Sequence, residues 1–199
     1  MGVKRLRDRQ AEATREHLVA VARQRFAEQG YAATSIEDIV HRAGVAKGAL
    51  YHHFSGKDAL FRAVYEAALA DVVSAVMAKA SAEQEPWASV RAGLSAFLDE
   101  CLDPAFRRIV ILESVSVLHP RDREAEIGQV ELPLLRTVLT PLAGAALPGV
   151  VIDPLAHVAL GGLYGAALFI ARSSDPAAAR REVDTVLDTL IGGLRAAEA

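Results

Sequence analysis

Apolar residues recur at intervals of three and four along most of this 199-residue chain, which is the spacing of one helix face. No segment alternates between apolar and polar residues over a useful length, and no internal repeat is visible. The pattern therefore predicts an all-α protein of about nine helices. The first is expected from about Ala13 to Gln29, where Gly30 ends it, and a mobile polar arm over residues 1–10 is expected before it.

Residues 34–60 carry the clearest local signals in the chain. A capping-box spacing predicts that a short helix begins within a residue of Ser35, and Gly44 is expected to end it in a left-handed conformation. A second short helix follows almost at once, with Leu50 and Phe54 pointing inward. Two short helices joined by a tight glycine turn are typical of a helix-turn-helix, whose second helix reads the major groove of DNA.

The remaining helices are placed by apolar spacing and by acid–proline pairs. A connecting helix is expected from Lys57 to about Ala80, before the polar stretch 81–86. Beyond it, Glu-Pro and Asp-Pro pairs place a carboxylate near an N-cap and a proline at the first helical position, where no backbone N–H is needed. Pro133 is expected to kink the third of the five helices that these signals predict. They lie near residues 86–102, 104–118, 121–146, 154–173 and 176–196.

Charge is divided unevenly along the chain. The whole carries a formal net charge of −3, yet residues 1–57 hold ten Lys or Arg against six acids, so the remainder is acidic. A basic end is typical of a protein that places that end on DNA, and a solvated basic face is the alternative. A composition of 52% hydrophobic and 24% charged residues, without a run of eighteen apolar residues, fits a soluble globular protein. Because Cys101 is the single cysteine, we expect a reducing compartment, the cytoplasm.

Candidate enzyme chemistry is sparse. The six histidines lack the spacing of a zinc or iron site. Gly161, Gly162 and Gly165 follow an apolar helical run and not the strand that a dinucleotide loop requires. Cys101 and His119 have the chemistry of a nucleophile and a base, but nothing beyond their presence supports that pairing. We therefore expect no enzyme, no cofactor and no metal site, and a helical enzyme or carrier is the least favoured alternative.

Candidate DNA contacts come from the two short helices. Lys47 is the main candidate for specificity because its ammonium can reach O6 and N7 of guanine, and Gly48 allows close backbone approach or supplies only local flexibility. The candidates for base readout are Lys47, Gly48, Ala49 and Tyr51, with His52 as a further candidate. The candidates for phosphate contacts are Thr34 or Ser35, Tyr51, His53 and Lys57.

The same segment resembles the tetracycline-repressor (TetR) family of bacterial transcription regulators. The pattern covers about residues 14–61 and includes Phe26, Gly30, Tyr31, Thr34, Ile39, Ala43, Gly44, Val45, Leu50, Tyr51, His53, Phe54, Lys57, Leu60 and Phe61. Val40, Ala46 and the pair Ser55-Gly56 depart from it. The resemblance implies a homodimeric repressor that binds a palindromic operator and is released by a small ligand, here apolar or amphipathic. A regulator that works without a ligand is the main alternative.

The resemblance also implies a division of the chain into three parts. These are an arm and helix-turn-helix DNA-binding domain at 1–57, a connecting helix at 58–80, and a ligand-binding and dimerisation domain at 81–199. Polar residues inside apolar runs suggest a ligand pocket lined by Phe97, Cys101, Glu113, Val117, Leu135, Tyr164 and Leu168, although Glu113 also fits the solvated side of its helix. Apolar and small residues on the two C-terminal helices predict a dimer interface at Leu155, Gly162, Ala166, Ile170, Val183, Leu187, Leu190 and Leu194.

Overall fold

The computed structural model describes residues 2–142 and 149–196, with side chains from residue 9 onward. Over this part of the chain the protein is helical and contains no strand, which confirms the predicted all-α class. Nine helices follow one another in the described ranges. They are α1 (Gly2–Gln29), α2 (Ile36–Ala43), α3 (Lys47–His53), α4 (Lys57–Ser81), α5 (Pro86–Glu100), α6 (104–117), α7 (120–142), α8 (Ile152–Arg172) and α9 (Pro176–Ala196).

Helix α1 is longer than the sequence pattern predicts. It begins at Gly2, so the expected start near Ala13 and the expected arm over residues 1–10 are wrong. The first ten residues are rich in Arg, Lys and other straight-chain residues, which are good helix formers even without an apolar stripe. No proline or glycine interrupts the helix between residue 3 and its end at Gln29, so nothing stops it from extending to the N-terminus.

Helices α6 and α7 each contain a π-helical segment, Arg107–Glu113 in α6 and Ile127–Glu131 in α7. Pro133 is the second residue after this segment, where the wider turn accommodates its missing N–H. Helix α7 ends in a 3₁₀ turn, Thr140–Leu142. The predicted extension of this helix to residue 146 lies outside the described residues.

A continuous apolar core joins the N-terminal helices to the rest of the chain. Leu18, Phe26 and Ile39 are fully buried where α1 packs against α2 and α4. Further along α4, Val72 and Val76 are buried against the later helices, so α4 belongs to both ends of the molecule. We call α1 to α3 with the first turns of α4 the head, and the remaining helices the body.

Helix α8 differs from the sequence expectation in its hydropathy. By length and composition it is the one helix among the described residues that is apolar enough to cross a membrane, and 22% of its most apolar window is buried within the chain. The sequence contains no run of eighteen strictly apolar residues here, because Pro154 and His157 interrupt the apolar residues of this helix. The core helix of a soluble protein passes the same test.

Candidate functional site

The turn between α2 and α3 has the geometry that the sequence predicts. The Ser35 hydroxyl caps α2 by accepting a hydrogen bond from the Asp38 amide at 3.1 Å. Gly44 ends the helix with φ 65° and ψ 28°, in the left-handed region. The Gly44 and Val45 amides then donate to the carbonyls of His41 and Val40. This closed turn fixes the angle at which α3 leaves the head.

The outward surface of α3 carries most of the predicted base-reading residues. Gly48 and His52 are exposed, and Tyr51 is 49% exposed. The Lys47 ammonium, also exposed, lies 2.5 Å from Glu37 Oε1, and this hydrogen bond raises the pKa of Lys47. Glu37 is not among the DNA-contact residues predicted from the sequence, although its place in the first turn of α2 sets it opposite the start of α3.

The inward surface of α3 holds the head together. Leu50 and Phe54 are buried, as predicted. Ala49 and His53 are half-buried at its edge, and the His53 ring centroid lies 6.3 Å from that of Phe54. Ala46 precedes the helix and makes no side-chain cap hydrogen bond.

Two predicted phosphate contacts are instead occupied inside the head. Thr34 is buried, and its hydroxyl donates to the Gly30 carbonyl at 2.8 Å, so Ser35 is the exposed alternative of the pair. The Lys57 ammonium donates to the carbonyls of Tyr31 at 2.9 Å and Thr34 at 3.0 Å, and lies 4.1 Å from the Tyr31 ring centroid. Lys57 therefore holds the connection between α1 and α2 in place, with one N–H left for another acceptor.

Helix α6 contacts the same connection from the body. Glu113 Oε2 accepts a hydrogen bond from the Tyr31 amide at 2.9 Å, and Arg108 donates to the Ala27 carbonyl at 2.8 Å. Gly30 has φ 83°, and a Cβ there would lie 2.6 Å from Glu113 Oε1, so another residue would be strained and would displace the Glu113 carboxylate. We call Arg108 and Glu113, with their partners at the end of α1, the head–body clamp.

A small apolar cavity of about 50 Å³ lies between α4, α5, α7 and α8. It brings together three of the predicted ligand residues: Phe97, Leu135 and Tyr164. The other four, Cys101, Glu113, Val117 and Leu168, do not line it. Glu113 belongs instead to the clamp, at the end of the π-helical segment Arg107–Glu113.

Cys101 is fully buried in the core, and burial raises the pKa of its thiol to about 12. The thiol therefore stays protonated near neutral pH and is a poor nucleophile. Among the described residues, no group of three or more His, Cys, Asp or Glu side chains is arranged to hold a metal ion.

One end of the cavity is polar. Glu131 Oε1 accepts hydrogen bonds from Arg123 Nη1 at 2.5 Å, from the Tyr164 hydroxyl at 2.7 Å and from the Tyr65 hydroxyl at 3.3 Å. Arg123 Nη2 also contacts the Tyr164 hydroxyl. Burial, and next the charge of Glu131, raise the pKa of both tyrosines, so each remains a hydrogen-bond donor. Of these residues the sequence predicted only Tyr164 for the pocket, although Glu131 stands alone between apolar residues.

A groove of about 810 Å³ runs between α8 and α9 on the surface. Large apolar side chains are exposed along it: Val158 is 73% exposed, Leu190 60%, Val186 57% and Phe169 52%. Seven of the eight predicted interface residues line it, namely Leu155, Gly162, Ala166, Val183, Leu187, Leu190 and Leu194. The eighth, Ile170, is fully buried in the chain's own core and has no surface to offer a partner, so its assignment is corrected.

Comparison with known proteins finds two family models in the chain. Residues 18–64 match the family model "Bacterial regulatory proteins, tetR family", and residues 87–194 match "Tetracyclin repressor-like, C-terminal domain". The transcriptional repressor AcnR of Corynebacterium diphtheriae is 32% identical over 143 residues, covering 63% of this chain and 74% of that protein. The alignments with the first three curated relatives span 26%, 54% and 39% of their lengths.

Solved structures resemble the chain over most of its length. A TetR-family regulator from Pectobacterium atrosepticum has a TM-score of 0.80 and 30% identity, covering 93% of this chain and 95% of that one. FadR from Bacillus subtilis, solved in complex with stearoyl-CoA, has a TM-score of 0.71 and 17% identity, covering 86% and 96%. At that identity, the likeness to FadR shows the fold alone.

Proposed function

Since the chain belongs to the TetR family of bacterial DNA-binding transcription regulators, we propose that it is a repressor that binds a palindromic operator as a homodimer. A small apolar or amphipathic ligand in the body releases it. The observation that carries the DNA-binding part is the outward surface of α3, where Lys47, Gly48, Tyr51 and His52 lie together on a helix fixed by the Gly44 turn.

Operator reading depends on the freedom of Lys47. In the unbound protein its ammonium is paired with Glu37, and both side chains are more than half exposed. An exposed pair of this kind is weak, because water screens it, so guanine O6 and N7 can replace the carboxylate. Ser35, Tyr51 and His53 supply the phosphate contacts. Lys57 adds one more through its third N–H, while the other two donate to the carbonyls of Tyr31 and Thr34 in the connection between α1 and α2.

A second copy of the chain is the occupant we propose for the groove between α8 and α9. Exposed apolar surface of this extent marks an interaction site. Two-fold pairing would bring each groove against its symmetry mate and set the two α3 helices about one DNA turn apart. The positions of Gly162 and Gly165 have open space where a Cβ would stand, so a partner backbone can approach closely. This placement also covers α8, so we propose a cytoplasmic protein.

Ligand entry is expected to act on the head through α8. The cavity of about 50 Å³ is far smaller than the roughly 300–1,000 Å³ of pockets that hold drug-sized ligands, so a ligand must move its walls. Helix α8 forms one wall and packs on the segment Arg107–Glu113, which carries the clamp. A shift of α8 would therefore displace Glu113 from Tyr31 and tilt the head, changing the distance between the two DNA-reading helices.

The test is operator selection with the full-length protein. Duplexes enriched from a random library should contain two inverted half-sites, and affinity measured by fluorescence anisotropy should fall steeply with salt. Enrichment of single half-sites, or an affinity that does not change with salt concentration, would contradict the proposal. A ligand-independent regulator is distinguished by thermal shift, since a ligand at a hundred times its dissociation constant stabilises the protein by about 2.7 kcal/mol.

A further inference from the structure

The polar end of the cavity has an uneven distribution of hydrogen bonds. Glu131 is 8% exposed, and its Oε1 accepts from Arg123, Tyr164 and Tyr65. Its Oε2 is buried and has no hydrogen-bond partner among the residues that the structure describes. Buried carboxylate oxygens without a donor are costly, and native proteins seldom leave them so.

The surrounding side chains cannot readily supply the missing donor. Arg123 directs Nη1 to Oε1 and Nη2 to the Tyr164 hydroxyl, so it does not form the two-pronged pair that would use both carboxylate oxygens. Both tyrosine hydroxyls already donate to Oε1. The rest of the cavity lining is apolar apart from the backbone, with Val, Leu and Phe97 side chains predominating. Glu131 lines the cavity, so the remaining sources of a donor for Oε2 are a molecule that enters the cavity and moves its wall, or water.

We propose that Glu131 Oε2 is the recognition point for the effector, and that the effector is a mostly apolar molecule with a hydrogen-bond donor, a hydroxyl or an amine, at one end. The proposal rests on the proposed ligand control and names the ligand class for that site. A carboxylate or phosphate at the same end is disfavoured, because the charge of Arg123 is already paired with Glu131 and an anion would face the carboxylate.

The backbone at Glu131 supports a recognition role. Glu131 is the last residue of the π-helical segment Ile127–Glu131, and such segments occur frequently at functional sites. From the end of this segment Glu131 accepts hydrogen bonds from Tyr164 of α8 and Tyr65 of α4, so the carboxylate joins three helices around the cavity. A ligand bonded to Oε2 would thus touch the group that ties α7 to α8.

Four probes that share a naphthalene ring test whether the ligand needs a hydrogen-bond donor. They are 2-naphthol, 2-naphthylmethylamine, 2-naphthoate and 2-methylnaphthalene. Binding to the full-length protein without DNA is measured by calorimetry, with thermal shift as a second readout. The naphthol and the amine should bind about tenfold or more tightly than the naphthoate and the hydrocarbon, since each adds one hydrogen bond to a charged acceptor. Equal or tighter binding of naphthoate overturns the proposal, as does binding of none of the four.

Glu131→Gln tests whether Oε2 is the acceptor. It should reduce the advantage of the naphthol and the amine over the hydrocarbon by about tenfold, while Glu124→Gln, the same change at an exposed position of α7, leaves it unchanged. An unchanged ranking in a folded Glu131→Gln protein means that only water uses Oε2 and overturns the proposal. If that variant does not fold, the ranking in the unaltered protein decides. Because no step uses DNA, failure to find an operator leaves this result intact and overturns only the repressor function.

Discussion

The dimer interface offers the sharpest test of the proposed mechanism, through the substitution Leu190→Asp. Leu190 is 60% exposed in the single chain and lies in the groove between α8 and α9. A folded monomer has no need of it, since little of the side chain packs on its own core. A dimer that closes the groove would bury it, and two-fold symmetry would bury it twice.

The size of the effect follows from the exposed fraction. Burying a whole leucine side chain is worth about 1.5–3 kcal/mol, so burying the 60% that is exposed is worth roughly 1–2 kcal/mol per protomer. Two copies give about 2–4 kcal/mol, and each 1.4 kcal/mol is tenfold in affinity. The loss of Leu190 alone should therefore weaken the dimer by about 30-fold to several hundredfold. Burying an unpaired aspartate adds to this loss.

Sedimentation over a range of protein concentrations measures the dimer, and circular dichroism reports whether the helices persist. Thr185→Asp is the matched control, because Thr185 is exposed on the same helix but does not line the groove. Leu190→Asp should be helical and monomeric where the control is dimeric. Its affinity for a full palindrome should fall close to that for a half-site, because the second head no longer binds within the same complex.

Two results would refute this reasoning. If Leu190→Asp remains as dimeric as the control, the groove is not the interface. If it is helical and monomeric yet binds the full palindrome as tightly as the unaltered protein, the pairing of two heads does not drive operator binding. If Leu190→Asp loses its helical circular dichroism signal, the same test is made with Val158→Asp. The Val158 side chain is 73% exposed in the same groove.

Four further predictions concern the head and the core. Lys47→Ala should lower affinity for the operator about ten- to hundredfold and affinity for random duplex little, as measured by fluorescence anisotropy. Equal losses of affinity for both duplexes would show that Lys47 contacts the DNA backbone and not the bases. Lys57→Ala should weaken binding to both duplexes alike and reduce the slope of log affinity against log salt by about one. An unchanged slope would mean that Lys57 makes no phosphate contact and only holds the α1–α2 connection. Glu113→Ala should speed hydrogen exchange at the Tyr31 amide about tenfold or more, and exchange at the unaltered rate would exclude the clamp. Because burial raises the pKa of Cys101 to about 12, iodoacetamide should label it at pH 8 only after unfolding.

Local signals predicted the turn between α2 and α3 well because its geometry depends on neighbouring residues. The cap at Ser35 and the left-handed Gly44 are set by groups within three or four positions of each, and both are present in the structure. The acid–proline pairs likewise placed the starts of α5 and α6, where Glu85 and Asp103 accept hydrogen bonds from the amides that follow. These arrangements require no knowledge of distant packing.

Contacts between distant elements were less accessible from the sequence. Thr34 and Lys57 look like phosphate ligands by position, yet their polar atoms are held by carbonyls of the α1–α2 connection. Apolar spacing marks two sides of a helix without saying which faces the chain's own core, and for this reason Ile170 was assigned to the wrong side. Glu113 and Glu131 each end a π-helical segment, where spacing based on 3.6 residues per turn no longer gives the direction of a side chain.

Helix α8 connects the three regions on which regulation would depend. Its Tyr164 hydroxyl donates to Glu131 at the cavity, its Gly162 and Ala166 line the groove, and it packs on the segment that ends in Glu113 at the clamp. A ligand that displaces α8 must therefore change both the dimer contact and the hold on the head. Coupling of this kind is reciprocal, so DNA that favours one position of α8 must alter ligand affinity by the same factor as the ligand alters DNA affinity. If the groove is the dimer interface and the cavity holds the ligand, as proposed, one helix would be cavity wall, dimer surface and clamp support. It would then couple the two binding sites without a separate pathway between them.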